Sequence, residues 1–239
     1  MPFTFCHPAI ILPLTKISKN KISATGLVIG SMAPDFEYFI KMKMEKIHGH
    51  TFEGILYFTL PLTILLSIIY HKFVRDHLIN SLPEFLNHKV LCYVGIDWFT
   101  WLKKYWYVLI YSSLIGVLSH LLWDNFTHPH TFMVNHIPIL KGWINVFGVV
   151  MSRTDFLQAL STLIGGVIIL ATLIIPKQNQ YNHKQFKTKI KYWAFICLIT
   201  IIILFVRNIQ SLGDFIATLI SGGLIGLIVT PYFLEKLKI

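Results

Sequence analysis

Residues 105–130 read YWYVLIYSSLIGVLSHLLWDNFTHPH, and this stretch decides the fold. Its first part, 105–123, is an apolar run. A helix needs about 20 such residues to cross roughly 30 Å of hydrocarbon. At the end of the run stand His120 and Asp124. Positions i and i+4 lie one above the other on a helix, so the imidazole and the carboxylate share a face. Ionisable groups at the edge of a membrane span are costly and point to function. The pair reads in two ways. It can grip a cation, with His128 and His130 just beyond, or it can be a polar pair that locks packing.

The rest of the chain agrees with a membrane setting. Of 239 residues, 54% are hydrophobic and 13% charged, against about 25% charged in soluble domains. Mean hydropathy is +0.62. The apolar residues collect in blocks and the charges in the gaps, as in a multi-span helical protein. Five spans are predicted: 54–70, 105–123, 156–175, 192–206 and 215–234. The first holds Pro61, where a kink is expected. The second begins in a Trp/Tyr/Lys-rich segment, 98–106, that reads as an interfacial belt. The fifth carries Gly222 and Gly226, four apart, which permit close helix contact. The fold class is therefore all-α, an integral membrane helical bundle of about five transmembrane helices. Non-spanning N-terminal helices precede it, and 1–239 reads as a single domain. Within 1–53, Pro34 opens a predicted helix to about Ile47, ended by Gly49. Residues 71–104 read as a loop.

The net charge of +10 fits loops rich in Lys and Arg and does not call for nucleic acid; membrane lipid is the expected partner. Three distant cysteines, Cys6, Cys92 and Cys197, make neither a disulfide framework nor a thiolate zinc site. No cleaved leader is expected, because 1–7 lacks a basic stretch and no small-residue cleavage site follows. An odd number of spans places 1–53 and 125–155 on one side. Seven of the eleven histidines gather there with Asp35 and Asp124. Twelve Lys and Arg lie on the opposite side and nine on this one, which puts the histidine side outside.

Four stretches carry a resemblance: Met1-Pro2-Phe3-Thr4-Phe5-Cys6-His7-Pro8-Ala9, residues 27–39 (LVIGSMAPDFEYF), His50-Thr51, and Ser119-His120-Leu121-Leu122-Trp123-Asp124-Asn125-Phe126-Thr127-His128. Together they resemble the bacterial membrane family called domain of unknown function 4184, whose activity is unassigned. That resemblance implies a multi-pass protein of the bacterial cytoplasmic membrane. The order His, Asp, His, HxxxD, His is more distantly similar to membrane-bound metal-dependent hydrolases and zinc-dependent phospholipase C. Residue by residue it implies His7, Asp35, His50, His120, Asp124 and His128 as metal ligands, with Asp124 bridging. No HxxxE pair follows His130, so one or two metals are expected rather than three. Zn is the favoured divalent metal, and imidazole with carboxylate also suits Mn or Fe. Asp35 near a helix start stays ionised, and is equally an ordinary first-turn Asp. His48 is a candidate supporting residue, while His130 and His136 read as loop residues.

These residues leave three functions open. One is metal-dependent hydrolysis of a phosphoester or lipid headgroup. Another is a non-catalytic protein with a structural His/Asp cluster. The third is a transporter with an intramembrane polar site, though no repeated half is seen.

Overall fold

A computed structural model describes residues 3–174 and 190–236. In chain order the elements are α1 (Pro8–Ile11), α2 (Ala24–Gly30), α3 (Phe36–Lys41), α4 (Phe52–Ser81), α5 (Glu84–Val90), α6 (Trp98–Thr127), α7 (Phe132–His136), β1 (Trp143–Val146), β2 (Val149–Ser152), α8 (Arg153–Ile174), α9 (Ile190–Val206) and α10 (Leu212–Lys236). The protein is helical, with one two-stranded hairpin among the described residues. Four helical runs are long and apolar enough to cross a membrane: Phe52–Ser81, Trp98–His136, Arg153–Ile174 and Leu212–Lys236. The predicted fourth span is the shorter apolar helix α9. Most of the basic stretch 177–191 lies outside the described residues.

Local chemistry explains several boundaries. Thr51 caps α4 by accepting from Gly54 N–H, and Asp97 caps α6 by accepting from Thr100 N–H at 3.0 Å. The Thr100 hydroxyl and N–H also hold the Asp97 carboxyl below the usual carboxylate range. The proline ring of Pro61 crowds the carbonyl four residues before it. The widened turn Ile55–Thr59, of π type, contains that carbonyl, at Tyr57, and makes room for the ring.

Two expectations need correction. The helix from Pro34 ends at Lys41 rather than Ile47, because Met42 takes φ +53° and turns the chain away. Phe36 and Phe39 are buried, whereas Ile40 and Ile47 are exposed. Residues 71–104 are largely helical rather than a loop: α4 continues to Ser81, and α5 and the start of α6 follow. The π-type winding at Tyr70–Val74 carries the helix onward past the apolar run.

The chain divides into two compact units. The first comprises Met1–Asp35, His48–Ile64 and Tyr105–Thr172. Here α2 lies directly on α6. A Cβ on Gly30 would stand 2.5 Å from the Ser113 carbonyl oxygen, and one on Gly116 would strike the Leu27 carbonyl. Only glycines allow that approach.

The second unit comprises Phe36–Ile47, Leu65–Lys104 and Leu173–Ile239. In it α9 and α10 pack closely, with Gly222 against Thr200 and Gly226 against Ile196. Ser221 Oγ donates to the Phe39 carbonyl at 2.6 Å, and Trp193 Nε1 donates to the Ser81 carbonyl at 2.7 Å. The buried Arg75 is held by Asp76 and by His71, whose ring stacks on Trp98. These contacts tie one helix to the next, and this unit reads as packing.

Candidate metal centre

The first unit gathers side chains that are far apart in sequence. The turn Thr4–Cys6 leads into α1, and Pro8 at its first position suits a helix start. His7 stands at that junction. Thr4 Oγ1 donates to Asp35 Oδ2 at 2.7 Å, which ties the N-terminal turn to the short helical turn Ala33–Asp35. The Gly30–Gly116 crossing sets Ser31, one residue past α2, beside His120, one turn beyond Gly116. His120 Nδ1 then donates to the Ser31 carbonyl at 2.8 Å. His50 enters from the turn before α4.

Asp124 is the hub. His7 Nε2 lies 3.3 Å from its Oδ1, and His128 Nδ1 lies 3.5 Å from the same oxygen. His50 Nε2 and His120 Nε2 lie 3.3 and 3.4 Å from its Oδ2. The same two nitrogens lie 3.5 and 3.6 Å from Asp35 Oδ1. The His7 and His120 rings stack with centroids 3.9 Å apart. Asp35 and His120 are fully buried, and His50 and His128, the most open members, have side chains 14% and 15% exposed.

Distance separates two explanations. A charge-assisted N–H···O bond runs at about 2.7–2.9 Å. The contacts here are 3.3–3.6 Å. Bonds of about 2.0–2.2 Å to a tetrahedral cation put neighbouring ligand atoms about 3.3–3.6 Å apart, since the edge is 1.63 times the bond. Protonation gives the same answer. A carbonyl only accepts, so His120 must carry its proton on Nδ1, and in the neutral ring Nε2 is a lone pair. That lone pair faces Asp35 Oδ1 and Asp124 Oδ2, and none of these three buried atoms has a hydrogen-bond partner. Acceptors facing acceptors in a dry interior are costly unless a metal ion lies between them or the ring takes a second proton. The donor set therefore fits a divalent metal. Two triads satisfy its geometry: His7 with Asp35 and His120, and His50 with His120 and Asp124.

The six residues named from the sequence thus meet in one place, though not on equal terms. His128 spends Nδ1 on the Asp124 carbonyl at 3.1 Å and belongs to neither triad. His48 pairs with the Tyr57 hydroxyl at 2.6 Å. His136 donates to Phe132, and His130 sits at φ +65° in a turn. Cys6, beside His7, donates its thiol to the Thr162 carbonyl at 3.3 Å, and burial pushes that thiol up. Sequence reasoning missed Thr4 and the Ser31 carbonyl. Thr4 lies in the quoted N-terminal motif, but no spacing rule marks it, and a backbone carbonyl leaves no sequence signal.

These features define a class: a helical membrane protein with a buried His/Asp cluster that could hold a metal. Within that class the chain belongs to the family described as Domain of unknown function (DUF4184), which matches residues 1–232. No curated protein and no solved structure matches it. The more distant resemblance to metal-dependent hydrolases gains no support from these comparisons.

Proposed function

We propose that the protein is a multi-pass metalloprotein of the bacterial cytoplasmic membrane that hydrolyses a phosphoester or lipid headgroup. In this reading Asp35, His50, His120 and Asp124 hold a divalent cation, zinc foremost, and His7 and His128 approach the other oxygen of Asp124. The supporting observation is the Nε2 lone pair of His120 aimed at two carboxylate oxygens across 3.4 and 3.6 Å.

When bound, the cation supplies a Lewis acid that can activate water near neutral pH. The residues of the chain hold and orient it. The Ser31 carbonyl fixes the His120 tautomer, and Thr4 holds Asp35 by its second oxygen, as outer partners do in metal sites. Two carboxylates offset the charge of one divalent cation. A second cation would leave positive charge suited to an anionic phosphate, and the membrane setting makes lipid the nearest source. The second reading is a structural site, and near-complete burial of the cluster favours it.

The test measures metal per chain on protein purified in detergent, and phosphoester hydrolysis on phospholipid vesicles before and after chelation. One or two equivalents with chelator-sensitive turnover support the enzyme. Full metal without turnover transfers the site to the structural reading. Protein that neither carries nor takes up zinc, manganese or iron rules out both.

A further inference from the structure

A two-stranded hairpin leads directly into α8. Strands β1 and β2 pair antiparallel, Trp143 opposite Ser152 through Val146 opposite Val149. The turn is Phe147-Gly148, with φ +50° and +87°. Two positive φ values in a two-residue loop are the type I′ pattern, whose usual occupants are Asn-Gly. Asn145 Oδ1 accepts from Gly148 N–H at 2.9 Å and closes the turn. Phe147 occupies a backbone region that bulky side chains rarely adopt, and the residue is fully exposed.

A hairpin with one face in water alternates apolar and polar residues. This one does not. Ile144, Val146, Val149 and Met151 occupy one face; Trp143 and Val150 lie on the other with Asn145 and Ser152. Both polar residues are spent locally, Asn145 on Gly148 and Ser152 on Asp155. Trp143, Val149 and Val150 are exposed as well. Two strands alone are marginal in water, and an exposed apolar edge invites aggregation.

Continuity with α8 says what covers this surface. Strand β2 ends at Ser152 and α8 begins at Arg153 with no linker. Arg153 N–H donates to the Gly142 carbonyl at 3.0 Å, and Arg153 Nη1 donates to the Ile139 carbonyl at 3.0 Å. The base of the hairpin is thereby clamped to the first turn of the helix. The apolar run of α8 begins at Phe156, three residues past Arg153, so the helix start lies at the boundary of the roughly 30 Å hydrocarbon core. Lys141, Trp143 and Arg153 at the base are residue types of that boundary. Four strand residues reach about 13 Å from base to tip, enough to carry Phe147 into the headgroup–acyl layer.

We propose that the Trp143–Ser152 hairpin is a lipid anchor. Its tip, Phe147, and its flanks, Trp143, Val149 and Val150, lie in the interface of the bilayer that α8 crosses. The proposal does not depend on the metal centre.

The full chain, with Cys6, Cys92 and Cys197 replaced by serine, carries Phe147→Cys, Val150→Cys or Asn20→Cys. Each variant is labelled with an environment-sensitive fluorophore and reconstituted in nanodiscs of phosphatidylcholine and phosphatidylglycerol, which leave both faces open to water. Nitroxide-bearing lipid should quench the label at 147 or 150 several-fold more than at the exposed Asn20. Iodide should show the reverse order. Val150→Cys keeps Phe147 in place, so a turn upset by the first substitution does not decide the result. Equal iodide quenching at 147, 150 and 20 overturns the proposal. So does quenching at 147 and 150 that grows with the number of chains per disc, because a second copy would then cover the hairpin.

Discussion

The His/Asp cluster and the Trp143–Ser152 hairpin depart from the ordinary rule of burial in opposite directions. One places ionisable side chains inside, with Asp35 and His120 wholly shielded; the other places Phe147, Trp143, Val149 and Val150 outside. A polar group inside needs a partner of opposite character, and so does an apolar group outside. For the cluster, the contact lengths match a cation better than protons. For the hairpin, its direct continuity with the start of α8 points to lipid. The two also differ in assembly. The cluster draws on positions 7 to 128 and depends on one helix crossing, while the hairpin is complete within ten residues. Damage at a distance should therefore reach the first and leave the second alone.

The largest effect is expected at the hub. Asp124→Asn keeps the shape but turns one oxygen into an NH2 donor and removes the charge that a divalent cation needs. Metal per chain should fall roughly tenfold or more, consistent with ligand losses exceeding the 10–100-fold of outer partners. The protein should still insert, and the label at Val150 should keep its nitroxide quenching. Unchanged metal content in Asp124→Asn would remove the cation from the comparison.

Chelation tests the same difference without mutation. A ligand at 100 times its Kd stabilises the native state by about 2.7 kcal/mol. Stripping the metal should lower the detergent melting temperature by an amount of that order, restored by zinc. If melting is indifferent to chelator while metal leaves, the cluster is held by its own hydrogen bonds.

Distance from the metal enters with Gly30→Ala. Its Cβ would sit 2.5 Å from the Ser113 carbonyl, so α2 must lift from α6. Such overpacking costs about 1–3 kcal/mol, and the shift draws the Ser31 carbonyl from His120. Both stability and metal content should fall. Gly223→Ala is the control, because nothing lies within 4 Å of its added Cβ; it should be neutral or slightly stabilising. Equal losses in the two variants would show that helix propensity, not the crossing, matters.

How much of this is legible in the sequence follows from the same contrast. The spans are legible because each is a continuous apolar run, and His120 with Asp124 because i,i+4 spacing fixes a shared face. His7, Asp35 and His50 come from motif order alone; no periodicity links position 7 to position 124. Thr4 and Ser31 are invisible, one for want of a spacing rule and the other because it acts through its backbone. The early end of α3 turns on the positive φ of Met42, a residue that ordinarily continues a helix. The hairpin escapes for a physical reason: its alternation is erased by apolar residues on both faces, and Phe147 stands where Asn would announce the turn.

The smallest effect tests that last point. Phe147→Asn installs the residue the turn prefers and relieves a φ of +50°, a strain of about 1–2 kcal/mol for an ordinary side chain. In detergent, where no bilayer rewards the phenyl ring, the variant should melt at the same temperature or about 2–4 °C higher per kcal/mol gained. Metal content should not change, because nothing in the cluster touches the turn. In nanodiscs the order should reverse: a label at Val150 should become more open to iodide once the apolar tip is gone. A variant less stable in detergent would mean that Phe147 packs against protein rather than lipid, and the exposed half of the comparison would lose its meaning.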